Sequence, residues 1–309
     1  MEEFDLILNM IGIDQFCGFG GSSEGAKMAG YEIAWAGNHN ELAIQVHELN
    51  NPTTHHACED VFLTNYIDDV PDFDFLMSSP ACQGHSTASQ PRRRRYHEAQ
   101  RAVAWATIQC LDMKRPEWVF VENVPKFRNW EPYSNWLGSM RAFGYEVEEH
   151  ILTATNHGVP QLRKRLFVVG RLGSKPNLHF EKATEIPAFM DIMEDTDEGW
   201  EPISNACKGD KKRFKAGREK CGRTFLSQQT TNHRGVPLHE PIRTITTKDQ
   251  WKLVDGDQSR KLTVRELSRA MGFPANHKIP DIGRGHSVAG LGNAVCPPVM
   301  SDLLTQALG

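Results

Sequence analysis

Short apolar segments alternate with longer amphipathic ones in the first half of the chain. The segments MIGIDQF, YEIAWAG, DFLMSSP, EWVFVENV and RLFVVGR each have the length and apolar content of a buried strand. Between them, ELAIQVHEL and HEAQRAVAWATIQCLDMK carry apolar residues near helical spacing, which predicts helices. Strands that alternate with helices predict an α/β fold with a parallel sheet and helices on both faces.

This rhythm breaks after about Arg171. Residues 172–255 are rich in Gly, Pro, Lys, Asp and Thr, and we expect no long helix there. The segment LTVRELSRAMGFP then predicts a helix with Thr263 as N-cap, Glu266 as its capping-box partner and Gly272 at its end. The segment PPVMSDLLTQAL predicts a last helix that prolines open.

Length and composition set the class of protein. A chain of 309 residues is long for a single core, so we expect two domains. No apolar run approaches the roughly 20 residues of a membrane span, and the acidic N-terminus is unlike a secretory signal. Seven cysteines, an odd number, predict free thiols in a reducing, cytoplasmic compartment. No CxxC pair occurs, so we expect no metal site.

Charge is distributed unevenly along the chain. The formal net charge is −4, yet residues 208–223 hold eight basic residues against two acidic ones, and RRRR covers positions 92–95. Basic patches on a mildly acidic protein fit DNA or RNA binding through one face. For any single run, a solvated charged face is the alternative interpretation.

The segment IDQFCGFGGSSEG lies where the first strand should turn into the first helix. Gly18, Gly20 and Gly21 allow a tight turn and close approach of a ligand to the backbone. Ser23 occupies the third glycine position of a dinucleotide fingerprint, so that match fails and a nucleoside cofactor without a pyrophosphate stays open. A simple strand–helix turn is the alternative.

Polar residues follow the next two strands. The segment GNHNE offers Asn38, His39 and Glu41 at the end of the second strand, where a ribose partner is usual. Asp60 follows the third candidate strand and is placed to reach an adenine amine. Taken alone, Asp60 is also a common kind of N-cap or surface residue.

A thiol and a carboxyl group follow the fourth and fifth predicted strands. If these strands are neighbours, Cys82 and Glu122 project from the sheet edge that carries the glycine turn. A thiolate is a good nucleophile, and a buried carboxyl group can act as a general acid. Together they suit addition to an electron-poor ring. In isolation, a buried cysteine is more often packing, and a Glu-Asn pair at a strand end is more often a turn.

Six motifs in order resemble those of the cytosine-5 DNA methyltransferases, which use S-adenosylmethionine. They are DQFCGFGG, SPACQGHS, ENV, QLRKR, RELSRAMGFP and GNAVCPPV, within residues 13–171 and 261–309. The resemblance implies a doubly wound, Rossmann-like, mostly parallel sheet with a smaller target-recognition domain. It places the catalytic domain at 1–171, the target-recognition region at 172–260 and a return segment at 261–309, whose C-terminal helix packs back on the catalytic domain.

The mechanism that the resemblance implies agrees with the thiol–carboxyl pair. The target cytosine is flipped out of the duplex, and Cys82 attacks its carbon-6. Glu122 protonates or hydrogen-bonds nitrogen-3, while Arg163 and Arg165 hold the base carbonyl and position Cys82. Carbon-5 then takes the methyl group from S-adenosylmethionine, and S-adenosylhomocysteine is the product.

Further binding residues come from the same resemblance. The implied cofactor residues are Phe16, Gly18, Phe19, Gly20, Gly21, Asn38, His39, Asp60, Val61, Pro80, Asn293 and Ala294. The implied DNA-binding residues are Gln83, Ser86, Arg92, Arg93, Arg94, Arg95, Lys211, Lys212 and Arg213.

Three positions depart from the family pattern. Ala81 replaces the proline that usually precedes the cysteine, and Cys296 is inserted before Pro297 in the last motif. Asn38-His39 stands where the family often has an acidic residue for the ribose hydroxyls, so either His39 substitutes for it or Glu41 reaches round.

The expected partner is double-stranded DNA, the expected state is a monomer of bacterial or phage origin, and the presence of a cognate restriction endonuclease stays open. Alternatives are an RNA cytosine-5 methyltransferase, a catalytically silent DNA-binding homologue and an enzyme that carries a modified alkyl group.

Overall fold

The computed structural model describes residues 10–80 and 103–309. Its strands are β1 (Ile11–Gln15), β2 (Glu32–Gly37), β3 (His55–Ala57), β4 (Phe75–Ser78), β5 (Trp118–Asn123), β6 (Tyr145–Thr153), β7 (Gln161–Leu162), β8 (Lys164–Leu172), β9 (Glu201–Pro202), β10 (Thr224–Gln228), β11 (Ile242–Arg243), β12 (Trp251–Asp255) and β13 (Gln258–Lys261). Its α-helices are α1 (Gly21–Met28), α2 (Glu41–Asn50), α3 (Trp105–Lys114), α4 (Tyr133–Ala142), α5 (Lys208–Cys221), α6 (Val264–Ala270), α7 (Arg284–Asn293) and α8 (Pro297–Leu308).

The main sheet has seven strands in the order β3-β2-β1-β4-β5-β8-β6. The pairs β3/β2, β2/β1, β1/β4 and β4/β5 are parallel, whereas β5/β8 is antiparallel. The chain therefore builds outward from β1 to β3, then returns to β4 on the other side of β1. This reversal is the topological switch point at which α/β sheets bind ligands. The predicted α/β, mostly parallel fold is confirmed, as are the five strands predicted in the first half.

The chain divides into two compact units. The first comprises the chain up to Leu152 together with Lys164–Phe180 and Val299–Gly309, and the second comprises Thr153–Arg163 and Glu181–Pro298. These cuts differ from the functional boundaries expected at 171/172 and 260/261. The assignment of 172–260 to target recognition stays a prediction.

A large apolar cluster packs the main sheet of the first unit against its helices. Buried strand residues Ile13, Leu76 and Val121 share this cluster with Leu111 of α3 and Trp136 of α4. All four residues of β4 and all six of β5 are buried, which explains their continuous apolar runs. This packing holds the carboxyl ends of β1, β4 and β5 side by side.

The second unit contains a four-stranded antiparallel sheet, in the order β10-β12-β13-β9, with α5 against β10. Phe214 of α5 packs on Phe225 and Val254 of the sheet. An added Cβ at Gly217 would lie 2.2 Å from the Phe225 ring, so glycine permits this close approach.

The expectation of no long helix within 172–255 is wrong, because α5 has 14 residues. Its buried positions are Asp210, Phe214 and Gly217, at helical spacing, but phenylalanine is the one strongly apolar residue among them. The apolar periodicity that reveals a helix is therefore absent from this segment.

The two later helices match their predictions. Thr263 caps α6: its Oγ1 accepts from Glu266 N at 2.9 Å, and the Glu266 carboxylate accepts from Thr263 N at 2.8 Å. Gly272 follows with φ 84°, and α8 begins at Pro297. Within the described ranges, no helix is long and apolar enough to cross a membrane.

Candidate active site

The turn between β1 and α1 has an unusual backbone. Gly18 and Gly20 have φ of 53° and 82°, and Phe16, which is not glycine, has φ 59°. A left-handed phenylalanine is a strained feature of the kind that clusters at ligand sites. Gly20 is the N-cap of α1, and the helix starts at Gly21. The side chain of Phe19 is buried.

The face of the turn at Gly18 is open. An added Cβ there would meet no described atom closer than Phe16 O at 3.9 Å. The backbone of this turn can therefore approach a ligand at the switch point of the sheet.

Backbone hydrogen bonds align the ends of β2 and β3. Asn38 N donates to Ala57 O at 3.1 Å, and Asn38 Oδ1 accepts from Asn40 N at 3.0 Å. Asn40 in turn caps α2. The side chains of His39 and Glu41 are exposed, so both predicted alternatives for the ribose contact remain accessible.

The segment predicted to bind the adenine of the cofactor combines one exposed residue, Asp60, and one buried residue, Val61. Asp60 is exposed, and its Oδ1 accepts from Phe62 N at 3.1 Å. Val61 is buried in the core, and its carbonyl accepts from the Tyr66 hydroxyl at 3.2 Å. The structure therefore anchors Val61 and leaves the Asp60 carboxylate facing solvent.

Asn123 fixes the end of β4. Its Nδ2 donates to Pro80 O at 3.0 Å, and its own Oδ1 accepts from Val124 N at 2.9 Å. Pro80 is buried and is the last described residue before Ala81 and Cys82. The predicted nucleophile Cys82 and the predicted DNA contacts Gln83, Ser86 and Arg92–Arg95 lie outside the described residues.

Glu122 and Arg165 form an ion pair on neighbouring strands. Arg165 Nε lies 2.9 Å from Glu122 Oε1, and the two side chains are only 16% and 7% exposed. Glu122 lies on β5 opposite Phe167 of β8, and β5 adjoins β4, from which the chain leads to Cys82. Two of the four predicted catalytic residues are therefore in direct contact.

Arg163 lies in the second unit and, unlike Arg165, contacts backbone carbonyl groups. Its Nη1 donates to Ile245 O at 3.0 Å, and its Nη2 donates to Gly292 O at 3.0 Å and Ala294 O at 2.8 Å. The side chain is 2% exposed. These bonds fix the turn that contains the predicted cofactor residues Asn293, which is exposed, and Ala294, which is buried.

The predicted basic contacts on α5 are of two kinds. Lys211 and Lys212 are exposed, whereas Arg213 pairs with the buried Asp210 at 2.5 Å. Lys252 of β12 also pairs with Asp210, at 3.1 Å. Asp210 therefore ties α5 to the sheet, whereas the two lysines, like Lys208 before them, face solvent at the start of the helix.

Three side chains, of Asn123, Ser23 and His47, have structural roles that the sequence did not predict. Asn123 adjoins Glu122 in the ENV motif, so the motif could have identified it. Ser23 and His47 touch each other across 24 positions, with His47 Nε2 lying 3.0 Å from Ser23 Oγ. Two residues this far apart in sequence leave no local pattern from which their contact could be predicted.

The chain belongs to the C-5 cytosine-specific DNA methylase family, whose family model matches residues 10–308. It is similar to the Type II methyltransferase M.NlaX of Neisseria lactamica, with 25% identity over 95% of both chains. It is also similar to the Type II methyltransferase M.AplI of Arthrospira platensis, with 26% identity over 98% of this chain and 87% of the relative. The predicted family is confirmed.

Solved structures show the same fold at low identity. A chain described as a DNA modification methyltransferase encoded within an E. coli prophage has a TM-score of 0.72 and 20% identity, covering 96% of this chain and 98% of that one. The S. pombe Dnmt2 methyltransferase has a TM-score of 0.70 and 19% identity, covering 97% and 98%. At these identities the likeness concerns the fold alone.

Proposed function

We propose that the protein methylates carbon-5 of cytosine in double-stranded DNA through a covalent Cys82 adduct. The contact between Glu122 and Arg165 is the observation that carries this proposal. It puts a buried carboxyl group and a guanidinium at the carboxyl end of β5, beside the strand that leads into PACQ. The family description, C-5 cytosine-specific DNA methylase, supports DNA as the substrate.

The proposed chemistry starts from an extruded cytosine. The Cys82 thiolate adds to carbon-6 while Glu122 supplies a proton to nitrogen-3, so the ring accepts the electron pair without building negative charge. Arg165 stabilises the carboxylate that this transfer leaves on Glu122, and its planar guanidinium suits the base carbonyl as well. After carbon-5 gains the methyl group, a base removes the proton of carbon-5, the bond from Cys82 to carbon-6 breaks with its electron pair returning to sulfur, and nitrogen-3 returns its proton to Glu122.

The residues present fit S-adenosylmethionine, which supplies an electrophilic methyl group when bound. The left-handed turn at Gly18 and Gly20 opens at the switch point of the sheet. The exposed Asp60 carboxylate suits an amine, and His39 or Glu41 suits the ribose hydroxyls. We assign Phe16, Phe19, Gly21, Asn38, Val61 and Pro80 to the frame of this site, and Asn293 and Ala294 as further contacts.

DNA contacts are assigned to basic and polar residues. Lys211 and Lys212 are exposed cations at the start of α5 and suit phosphate oxygens. Gln83, Ser86 and Arg92–Arg95 retain the DNA-facing role that their sequence predicts. The relatives named as Type II methyltransferases support a role beside a restriction endonuclease. One base is modified per event, which needs a single copy of the chain.

Methyl transfer from tritiated S-adenosylmethionine to duplex DNA and to tRNA tests the substrate. We expect label in duplex DNA and none with the Cys82→Ser variant. Equal or greater label in tRNA would favour an RNA methyltransferase. DNA retention without cofactor binding would indicate a silent DNA-binding homologue, and a product nucleoside heavier than 5-methylcytosine would indicate a modified alkyl group.

A further inference from the structure

A chain of polar side chains runs beneath the glycine turn. Ser23 Oγ donates to Asp14 Oδ2 at 2.8 Å, His47 Nε2 lies 3.0 Å from Ser23 Oγ, and His47 Nδ1 lies 2.7 Å from His56 Nε2. Asp14, Ser23 and His47 have no solvent exposure. Four elements, namely β1, α1, α2 and β3, are joined by these three contacts.

The proton assignment along this chain is self-consistent. Because Ser23 gives its proton to Asp14, its oxygen accepts from His47 Nε2–H. His47 Nδ1 is then an acceptor, and His56 Nε2–H donates to it. Each bond therefore has one donor and one acceptor, with His47 as a neutral imidazole in the middle.

His47 also packs against the glycine turn itself. An added Cβ at Gly20 would lie 3.1 Å from His47 Cδ2 and 3.5 Å from His47 Nε2. The imidazole thus supports the turn at the residue that opens α1. Ser23 lies in the first turn of the same helix. The His47 side chain therefore fixes the start of α1 in two ways, by packing at Gly20 and by its hydrogen bond with Ser23.

The other end of the chain reaches the ends of β2 and β3. The rings of His47 and His56 meet edge to face, with centroids 4.9 Å apart. His56 precedes Ala57, whose carbonyl accepts from Asn38 N at 3.1 Å. His47 is therefore connected to the glycine turn on one side and to the Asn38 segment on the other.

We infer that His47 is a positioning residue for S-adenosylmethionine binding: it sets the glycine turn through Gly20 and Ser23 and holds it in register with the ends of β2 and β3 through His56. The inference rests on the proposed function for the identity of the cofactor. His47 acts through the residues that it holds, so its loss weakens cofactor binding and leaves the chemistry at Cys82 and Glu122 intact.

The test compares His47→Phe, which keeps a planar ring against Gly20 and removes both nitrogens, with Ser23→Ala and the double variant. Calorimetric binding of S-adenosylmethionine without DNA should weaken about tenfold for His47→Phe, while kcat at saturating cofactor and KM for DNA stay within about twofold. The double variant should bind about as weakly as His47→Phe, because the two residues act through one contact.

Tyr145→Phe is the matched control. It removes a buried hydroxyl that donates to Pro116 O at 2.7 Å, before the amino end of β5. We expect lower stability and unchanged cofactor affinity. The inference is overturned if folded His47→Phe binds as tightly as the wild type, or if Tyr145→Phe weakens binding equally. If His47→Phe does not fold, unchanged affinity of Ser23→Ala overturns it.

The two proposals fail in different ways. A wild-type protein that binds S-adenosylmethionine but methylates no nucleic acid contradicts the proposed function, and the binding series still decides the role of His47. A wild-type protein that does not bind S-adenosylmethionine contradicts both.

Discussion

Arg165 Nε lies 2.9 Å from Glu122 Oε1, and at the other end of the same two strands a second, exposed pair joins Arg171 of β8 to Glu117, which directly precedes β5, at 3.1 Å. The two ion pairs thus lie at opposite ends of the β5/β8 pair. They differ in burial, because Glu117 and Arg171 are 50% and 39% exposed. The buried pair lies at the edge where α/β sheets bind ligands, so we expect Glu122 and Arg165, and not the exposed pair, to act on the substrate.

Glu122→Gln should lower kcat by about 10² to 10⁴, because the amide cannot deliver a proton to nitrogen-3. Affinity for S-adenosylmethionine should stay within about twofold. Single-turnover methylation of duplex DNA measures the first quantity and calorimetry the second. Glu117→Gln, directly before the same strand, should keep wild-type kcat, and an equal loss in both variants would contradict the role given to Glu122.

Arg163→Lys should destabilise the protein by about 3 kcal/mol, because lysine cannot reach three carbonyl groups at once from a buried position. Denaturant unfolding measures this change. Arg223→Lys is the control, since the Arg223 side chain is 78% exposed and its pair with Asp255 should contribute less than about 1 kcal/mol. A stable Arg163→Lys with lost activity would instead indicate direct contact with substrate.

Gly20→Ala should raise the KM for S-adenosylmethionine and destabilise the fold by about 1 to 3 kcal/mol. Gly30→Ala separates the two effects, because Gly30 also has positive φ, 88°, but an added Cβ there meets no atom of the described residues within 4 Å. We expect comparable backbone strain in Gly30→Ala with unchanged KM. An equal change of KM in both variants would contradict the cofactor-binding role of the glycine turn.

Burial raises the pKa of Asp14 from 3.8 to about 7, opposed by the hydrogen bond from Ser23. A raised pKa means that the folded state binds the proton more tightly than the unfolded state. The contribution of protonated Asp14 to the free energy of unfolding is fully present below pH 3.8 and is lost as pH rises through 7. Between pH 6 and pH 8, the wild type should therefore lose about 1 kcal/mol relative to Asp14→Asn.

Urea unfolding of the wild type and Asp14→Asn across this pH range measures the difference. If the free energies of unfolding of the two proteins change in parallel with pH, Asp14 does not titrate between pH 6 and pH 8. A wild type that gains stability over Asp14→Asn as pH rises would reverse the predicted sign.

Local signals explain what the sequence could predict. The helix from Val264 was predicted because Thr263 and Glu266 satisfy each other within one turn, and the strand before the glycine turn because its apolar run is continuous. The edge shared by β4 and β5 followed from the usual order of α/β sheets. Each of these features depends on neighbours in sequence or on a general topological rule.

The remaining features depend on contacts between distant positions. Helix α5 was missed because its buried face is built around Phe214, Asp210 and a glycine. The contacts of Arg163 and Arg165 could not be predicted, since QLRKR gives no sign that its two arginines point to different partners. Those partners, Glu122 for Arg165 and three carbonyl groups for Arg163, are set by the tertiary fold.

The most direct test of the central claim is bisulfite sequencing of DNA from cells that express the protein, with Cys82→Ser as the paired control. We predict protected cytosines in one recurring sequence context with the wild type and none above background with Cys82→Ser. Nucleoside mass spectrometry of the same DNA should identify 5-methylcytosine. Unprotected DNA from cells that contain folded wild-type protein, or equal protection by Cys82→Ser, would contradict cytosine-5 methylation of DNA through Cys82.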